Sequence, residues 1–144
     1  MLFRSMRIEL GVPGRAAERT MLLGMDRRAM VRSLLPVLEA EALSEIQQAV
    51  RTVHTSPALL DYLQDLLEAS RRRHRTGLSP RAGLALLRAS QAWALMQERE
   101  MVLPEDLQAV GVAVIAHRLG HDLEAVGESG RALAQSLLKE VAVP

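Results

Sequence analysis

The chain contains no cysteine, which excludes disulfides, thiol catalysis and cysteine-ligated zinc. Aromatic residues are nearly as scarce, at 2% of 144 residues, so no interleaved rings are available to stack nucleobases. No apolar run approaches the roughly 18 residues needed to span a bilayer, and no signal peptide is evident. Charge of one sign is also missing: 18 basic residues face 17 acidic ones, and the net charge of +1 gives no global pull towards nucleic acid or an anionic membrane. A phosphate loop of the form G-x-x-x-x-G-K-[ST] does not occur. No serine, histidine and acid arrangement stands out, and no paired carboxylates sit in a convincing setting. Taken alone, these residues do not describe an enzyme.

What is present is a 49% hydrophobic composition drawn mostly from Leu, Ala, Val and Met. These residues favour helices over strands, and the length fits one domain with a respectable core. The expectation is a soluble, intracellular, all-α protein: a small bundle of about five to seven helices behind a short extended N-terminal segment.

That segment, MLFRSMRIEL, alternates apolar and polar residues at Met6, Ile8 and Leu10, which suits a strand. A lone strand needs a sheet, and the expected sheet lies upstream. Gly11–Gly14, GVPG, is turn chemistry. Helices are expected over Arg15–Gly24 and through Met30, Val31, Leu34 and Leu35, where Pro36 forbids continuation. Glu39–Val53 carries Ala42, Leu43, Ile46, Ala49, Val50 and Val53 at three-and-four spacing, predicting one buried stripe. Ser56 caps the next helix and Pro57 starts it, with Asp61 in its first turn or so. That helix runs to about Arg71. The basic run Arg71–Arg75, RRRHR, suits the negative end of a helix followed by a solvated loop; contact with nucleic acid is the rival reading.

Thr76–Arg99 organises the chain. Ser79 is a good N-cap and Pro80 fits the first helical position. The spacing predicts a helix over Pro80–Arg99, with Leu84, Leu87, Trp93 and Leu95 as bulky apolar residues and Gly83 and Ala89 permitting close packing. Arg81 falls in the first turn, where peptide dipoles already leave positive charge. Arg81 and the first-turn amides suit an anion such as phosphate; alternatively Arg81 points sideways, to water or to a carboxylate on another helix. Pro104-Glu105-Asp106 opens a further helix, burying Leu107, Val110, Val114 and Ile115, although Leu103 is a poor cap before it. His117 and His121 are four apart, but Gly120 interrupts them and only Asp122 adds a ligand, so no metal site is expected. Gly127–Gly130 reads as a flexible link and Arg131–Val141 as a final amphipathic helix.

Gly77-Leu78-Ser79-Pro80-Arg81-Ala82, followed by Leu84-Ala85-Leu86-Leu87-Arg88-Ala89 and Ala92-Trp93-Ala94, resembles the sensor-2 region of MoxR-type AAA+ ATPases. Met6-Arg7-Ile8-Glu9-Leu10-Gly11-Val12-Pro13 and Arg15-Ala16-Ala17-Glu18 look like that family's junction between ATPase core and helical lid. Ser56-Pro57-Ala58-Leu59-Leu60-Asp61-Tyr62, Val102-Leu103-Pro104-Glu105-Asp106-Leu107 and Ala116-His117-Arg118-Leu119 are similar to lid segments. The resemblance spans nearly the whole chain and is loosest after Gly120. It implies that residues 1–13 are a remnant of the core/lid junction and residues 14–144 the helical lid. Arg81 would be the sensor-2 arginine directed at ATP phosphates, with Ser79 and Pro80 beside it in the nucleotide site. The parent would use ATP and Mg2+, with neither held tightly by this chain alone. Implied partners are the missing ATPase core, a homo-oligomeric ring and a client protein to be remodelled, in the cytoplasm, without nucleic acid or membrane insertion. The P-loop, Walker B acids and sensor-1 residue of the family belong upstream. Leu2-Phe3-Arg4-Ser5 departs from the family's Asp-Arg-Phe, so no arginine-finger role passes to Arg4. The alternative is a stand-alone helical module for protein–protein interaction.

Overall fold

The computed structural model describes residues 6–24, 27–73, 77–119 and 130–144. These residues form seven helices: α1 (Arg15–Leu23), α2 (Arg27–Arg32), α3 (Ala40–Thr52), α4 (Pro57–Arg73), α5 (Pro80–Met96), α6 (Pro104–Leu119) and α7 (Gly130–Glu140). The expected all-α bundle is what forms. α5 packs along α6 and α6 along α7, while α3 and α4 lie against α5 and α4 reaches α7. The core joins Leu66 of α4, Leu86 of α5, Leu107 and Val114 of α6, and Ala134 and Leu137 of α7.

Close approach depends on glycine at two crossings. A Cβ at Gly83 would lie 2.8 Å from Leu67 Cδ1, and one at Gly111 would lie 2.8 Å from Leu138 Cδ1. Gly77, just before α5, is tighter still: a Cβ there would sit 2.5 Å from the Cα of Arg71. A leucine tip can turn aside, but backbone cannot. Gly77→Ala is therefore expected to lower stability by about 2 kcal/mol, measured by urea denaturation; an unchanged midpoint would show that the α4–α5 connection relaxes freely.

Several expectations are corrected. The apolar stripe of α3 is not buried: Leu43 and Ile46 are exposed, Ala42, Ala49 and Val50 are half-buried, and only Val53, past the helix end, enters the core. Periodicity fixes which face of a helix is apolar, but not whether anything covers it. No described residue from 6 to 52 is buried. On α5, Leu84 is 62% and Trp93 38% exposed, while Ala82, Gly83, Ser90, Gln91 and Ala94 are buried with Leu86. α5 is approached by α3, α4 and α6, so its inward positions hold small or hydrogen-bonded side chains and its ring stays at the rim. Ser90 Oγ donates to the Leu86 carbonyl (2.9 Å) and Gln91 Nε2 to the Val53 carbonyl (2.9 Å).

α5 also stops earlier than expected. The Arg99 N–H donates to the Ala94 carbonyl (3.0 Å) and the Glu98 N–H to the Leu95 carbonyl (2.9 Å), the paired bonds of a Schellman ending. Glu98 holds the left-handed position (φ 57°) usually given to glycine, which is why the sequence carries no stop signal there. Asp61 falls outside the first turn of α4, which has no acid, and α4 continues to Arg73. Residues 6–14 form neither helix nor strand, and Gly11 turns the chain at φ 72°; the Arg7 N–H donates instead to the Ala113 carbonyl of α6 (2.8 Å).

Candidate functional site

The site begins with the turn into α5. Ser79 is extended (φ −75°, ψ 161°), and its hydroxyl accepts from the Ala82 N–H at 3.3 Å, as its capping chemistry predicts. Pro80 occupies the first helical position. Arg81 follows, exposed, in a first turn that contains no acidic residue. All three expected site residues therefore meet at one helix end. The acid-free first turn leaves the positive pole of the α5 dipole and its first amides at this end, a position that suits an anion.

What holds this turn was not evident from the sequence. Leu78 is buried, and its N–H donates to Ser70 Oγ at 2.8 Å. Its carbonyl accepts from Arg71 Nε at 3.0 Å. With Gly77 pressed on the Arg71 backbone, the last turns of α4 grip both sides of the peptide that launches α5. Arg71, though exposed, thus also ties down the approach to α5. The other described members of the basic run also have partners in the chain: Arg72 with Glu68 (2.8 Å), and Arg73 with Glu140 (2.8 Å) and Ser136 (3.4 Å). The structural reading of the run accounts for Arg71, Arg72 and Arg73; His74 and Arg75 lie outside the described residues.

At the opposite end of α5, Arg99 forms a two-pronged pair with Asp106, which is 1% exposed. Asp106 Oδ2 also accepts from the Leu103 N–H at 2.8 Å. The third residue of α6 thereby reaches back and supplies the cap that Leu103 cannot. Near the far end of α6, Arg118 donates to the Val114 carbonyl, and desolvation by burial lowers its pKa below the ordinary guanidinium value. His117 is half-buried in α6, whereas His121 and Asp122 lie outside the described residues, as does Arg4. No group of three or more His, Cys, Asp or Glu side chains suited to a metal ion occurs among the described residues. No described helix is long and apolar enough to cross a membrane.

Residues 67–137, which contain this turn and the helices packed around it, match the family model of the AAA lid domain. The chain carries an AAA lid domain. Protein MoxR of Paracoccus denitrificans is 42% identical over 81 residues, 46% of this chain and 24% of that protein. Chaperone MoxR1 of Mycobacterium tuberculosis is 26% identical over 151 residues, covering 96% of this chain and 40% of its own length. The uncharacterised protein YeaC of Bacillus subtilis is 27% identical over 142 residues, 96% of this chain and 44% of that protein. The crystal structure of a candidate ATPase from Cytophaga hutchinsonii superposes with a TM-score of 0.73 at 25% identity, over 97% of this chain and 46% of that one. The chain spans less than half the length of each of these relatives. Within the described residues of the lid, the Ser79–Arg81 turn brings together a side-chain cap, a helix N-terminus and an exposed arginine.

Proposed function

We propose that this lid closes over a nucleotide held by a P-loop core of a MoxR-type AAA+ ATPase, with Arg81 placing its guanidinium on the phosphates. The observation that carries the reading is the exposed arginine in the acid-free first turn of α5, on a turn gripped by Ser70 and Arg71 of α4. ATP with Mg2+ supplies the phosphoryl-transfer chemistry when bound. Arg81 binds and orients the phosphates, and the Ser79 cap keeps the first turn of α5 in register. Residues 14–144 form the lid in this reading, and residues 1–13 lead into it from the core. The whole protein assembles as a ring in the cytoplasm and passes hydrolysis on as remodelling of a client.

The extent of exposed apolar surface along α1–α3 favours a second reading, a helical module for protein–protein interaction without nucleotide chemistry. Hydrogen exchange on the polypeptide that joins this lid to a P-loop core separates the two. A non-hydrolysable ATP analogue is expected to slow exchange of the Arg81–Leu84 amides, while the 144-residue chain alone turns over no ATP. Exchange unchanged by nucleotide throughout α5 would sink the first reading and leave the second.

A further inference from the structure

Ser70 stands where the pattern of α4 calls for an apolar side chain. Leu59, Leu63 and Leu66 precede it on the inward face of the helix, and Ser70 is itself fully buried. A serine there gives up the apolar burial that leucine would contribute, and it is a poorer helix former than leucine or alanine. A break of this kind in the local rules marks a side chain held for another task. The hydroxyl has one. Its Oγ donates to the Leu67 carbonyl at 2.6 Å, which uses its hydrogen, and it accepts from the Leu78 N–H at 2.8 Å.

The next residue completes the hold. Arg71 Nε donates to the Leu78 carbonyl at 3.0 Å, so the peptide groups on both sides of Leu78 are tied to α4. Neither backbone dihedral of Leu78 can then turn without breaking one of the two bonds. Gly77 allows this approach, having no Cβ to meet the Arg71 backbone. α4 is anchored in its turn, since Leu66 lies in the core and Arg73 pairs with Glu140 at the end of α7. The start of α5 is therefore registered against the bundle. Arg81 inherits that register through one turn of chain, in which Ser79 follows Leu78 and caps the Ala82 N–H.

We propose that Ser70 is a positioning residue for Arg81: its hydroxyl holds the Leu78 backbone and so sets the line along which Arg81 meets phosphate, with Arg71 in a supporting role. The inference rests on the nucleotide reading of Arg81 and extends it to side chains that touch no ligand. Stabilising charge as it develops demands a guanidinium that is already in place, and small misplacements are costly. Removing the Ser70 hydroxyl leaves the Leu78 N–H without its acceptor. The turn then shifts to hydrate that amide, and Arg81 shifts with it.

A double-mutant cycle between Ser70→Ala and Arg81→Ala provides the test, read as ATP turnover by the polypeptide that joins this lid to a P-loop core. Ser70→Ala alone is expected to lower turnover about tenfold. In the Arg81→Ala background the same change should lower it less than about twofold, because no guanidinium is left to misplace. A merely structural loss would act equally in both backgrounds. Thermal melts set an assay temperature at which every protein of the cycle is folded. Should Ser70→Ala fail to fold, Arg71→Met, at an exposed position, runs the same cycle with a loss of about threefold. If Arg81→Ala slows turnover and the α4 variant does not, or if the two effects simply multiply, the positioning role is overturned and that of Arg81 stands. If Arg81→Ala leaves turnover unchanged, the nucleotide reading falls and this inference falls with it.

Discussion

Arg81→Ala, in a polypeptide that carries this lid behind a P-loop core, is expected to lower ATP turnover about a hundredfold. In the proposed role, the variant removes the positive group that would meet developing phosphate charge, and the first turn of α5 holds no other cation. Stability should move little. Arg81 is exposed, Ser79 still caps Ala82, and alanine is a good helix former at a position where a cation opposes the helix dipole. That split between turnover and melting temperature distinguishes a chemical role from a structural one. Arg81→Lys keeps the charge but loses the planar fork, so an intermediate rate is expected. Turnover unchanged in the alanine variant would remove Arg81 from the mechanism.

Asp106→Ala is expected to destabilise the lid by about 3 kcal/mol, the lower end of what breaking a buried ion pair costs. Two losses combine. Arg99, partly exposed, can rehydrate, which moderates the effect. The Leu103 N–H cannot, since the carboxylate is its cap and Leu103 has no polar side chain to substitute. Chemical denaturation of parent and variant gives the difference directly. Asp106→Asn, retaining an acceptor for the amide but not the charge, should fall between them. A shift below about 1 kcal/mol would mean that the pair contributes no more than an exposed salt bridge.

The helices of this fold were legible because their punctuation is explicit. Ser56-Pro57, Ser79-Pro80 and Pro104-Glu105-Asp106 each pair a start signal with an apolar repeat, and α4, α5 and α6 begin there. The end of α5 was not legible, because Glu98 takes a backbone conformation that sequence normally marks with glycine. Burial was legible on α6 and α7, whose apolar faces meet each other, and not on α3, whose equally clear stripe is only partly covered where it meets α5. Trp93 stays at the rim for a related reason: a crowded central helix admits Ala94 and Ser90 inward and leaves the large ring partly outside. At the site, Ser79 and Arg81 were evident from local rules of helix capping and charge. Ser70 and Arg71 were not, because their partner is a backbone group seven or eight residues away, reached only once α4 and α5 have turned back on each other. A serine inside a leucine-rich helix and an arginine within a basic run carry no mark of that task.

The grip of α4 on the Leu78 peptide gives α5 the properties of a stiff lever. Its 17 residues extend about 25 Å, so a tilt of roughly 10° at the Arg81 end swings the other end through about 4 Å. That far end leads, through the Schellman turn, to Arg99 and its clasp on Asp106 at the start of α6. α6 in turn carries α7. A force applied at one corner of the bundle is thus delivered as displacement at the opposite corner, with few compliant joints between them.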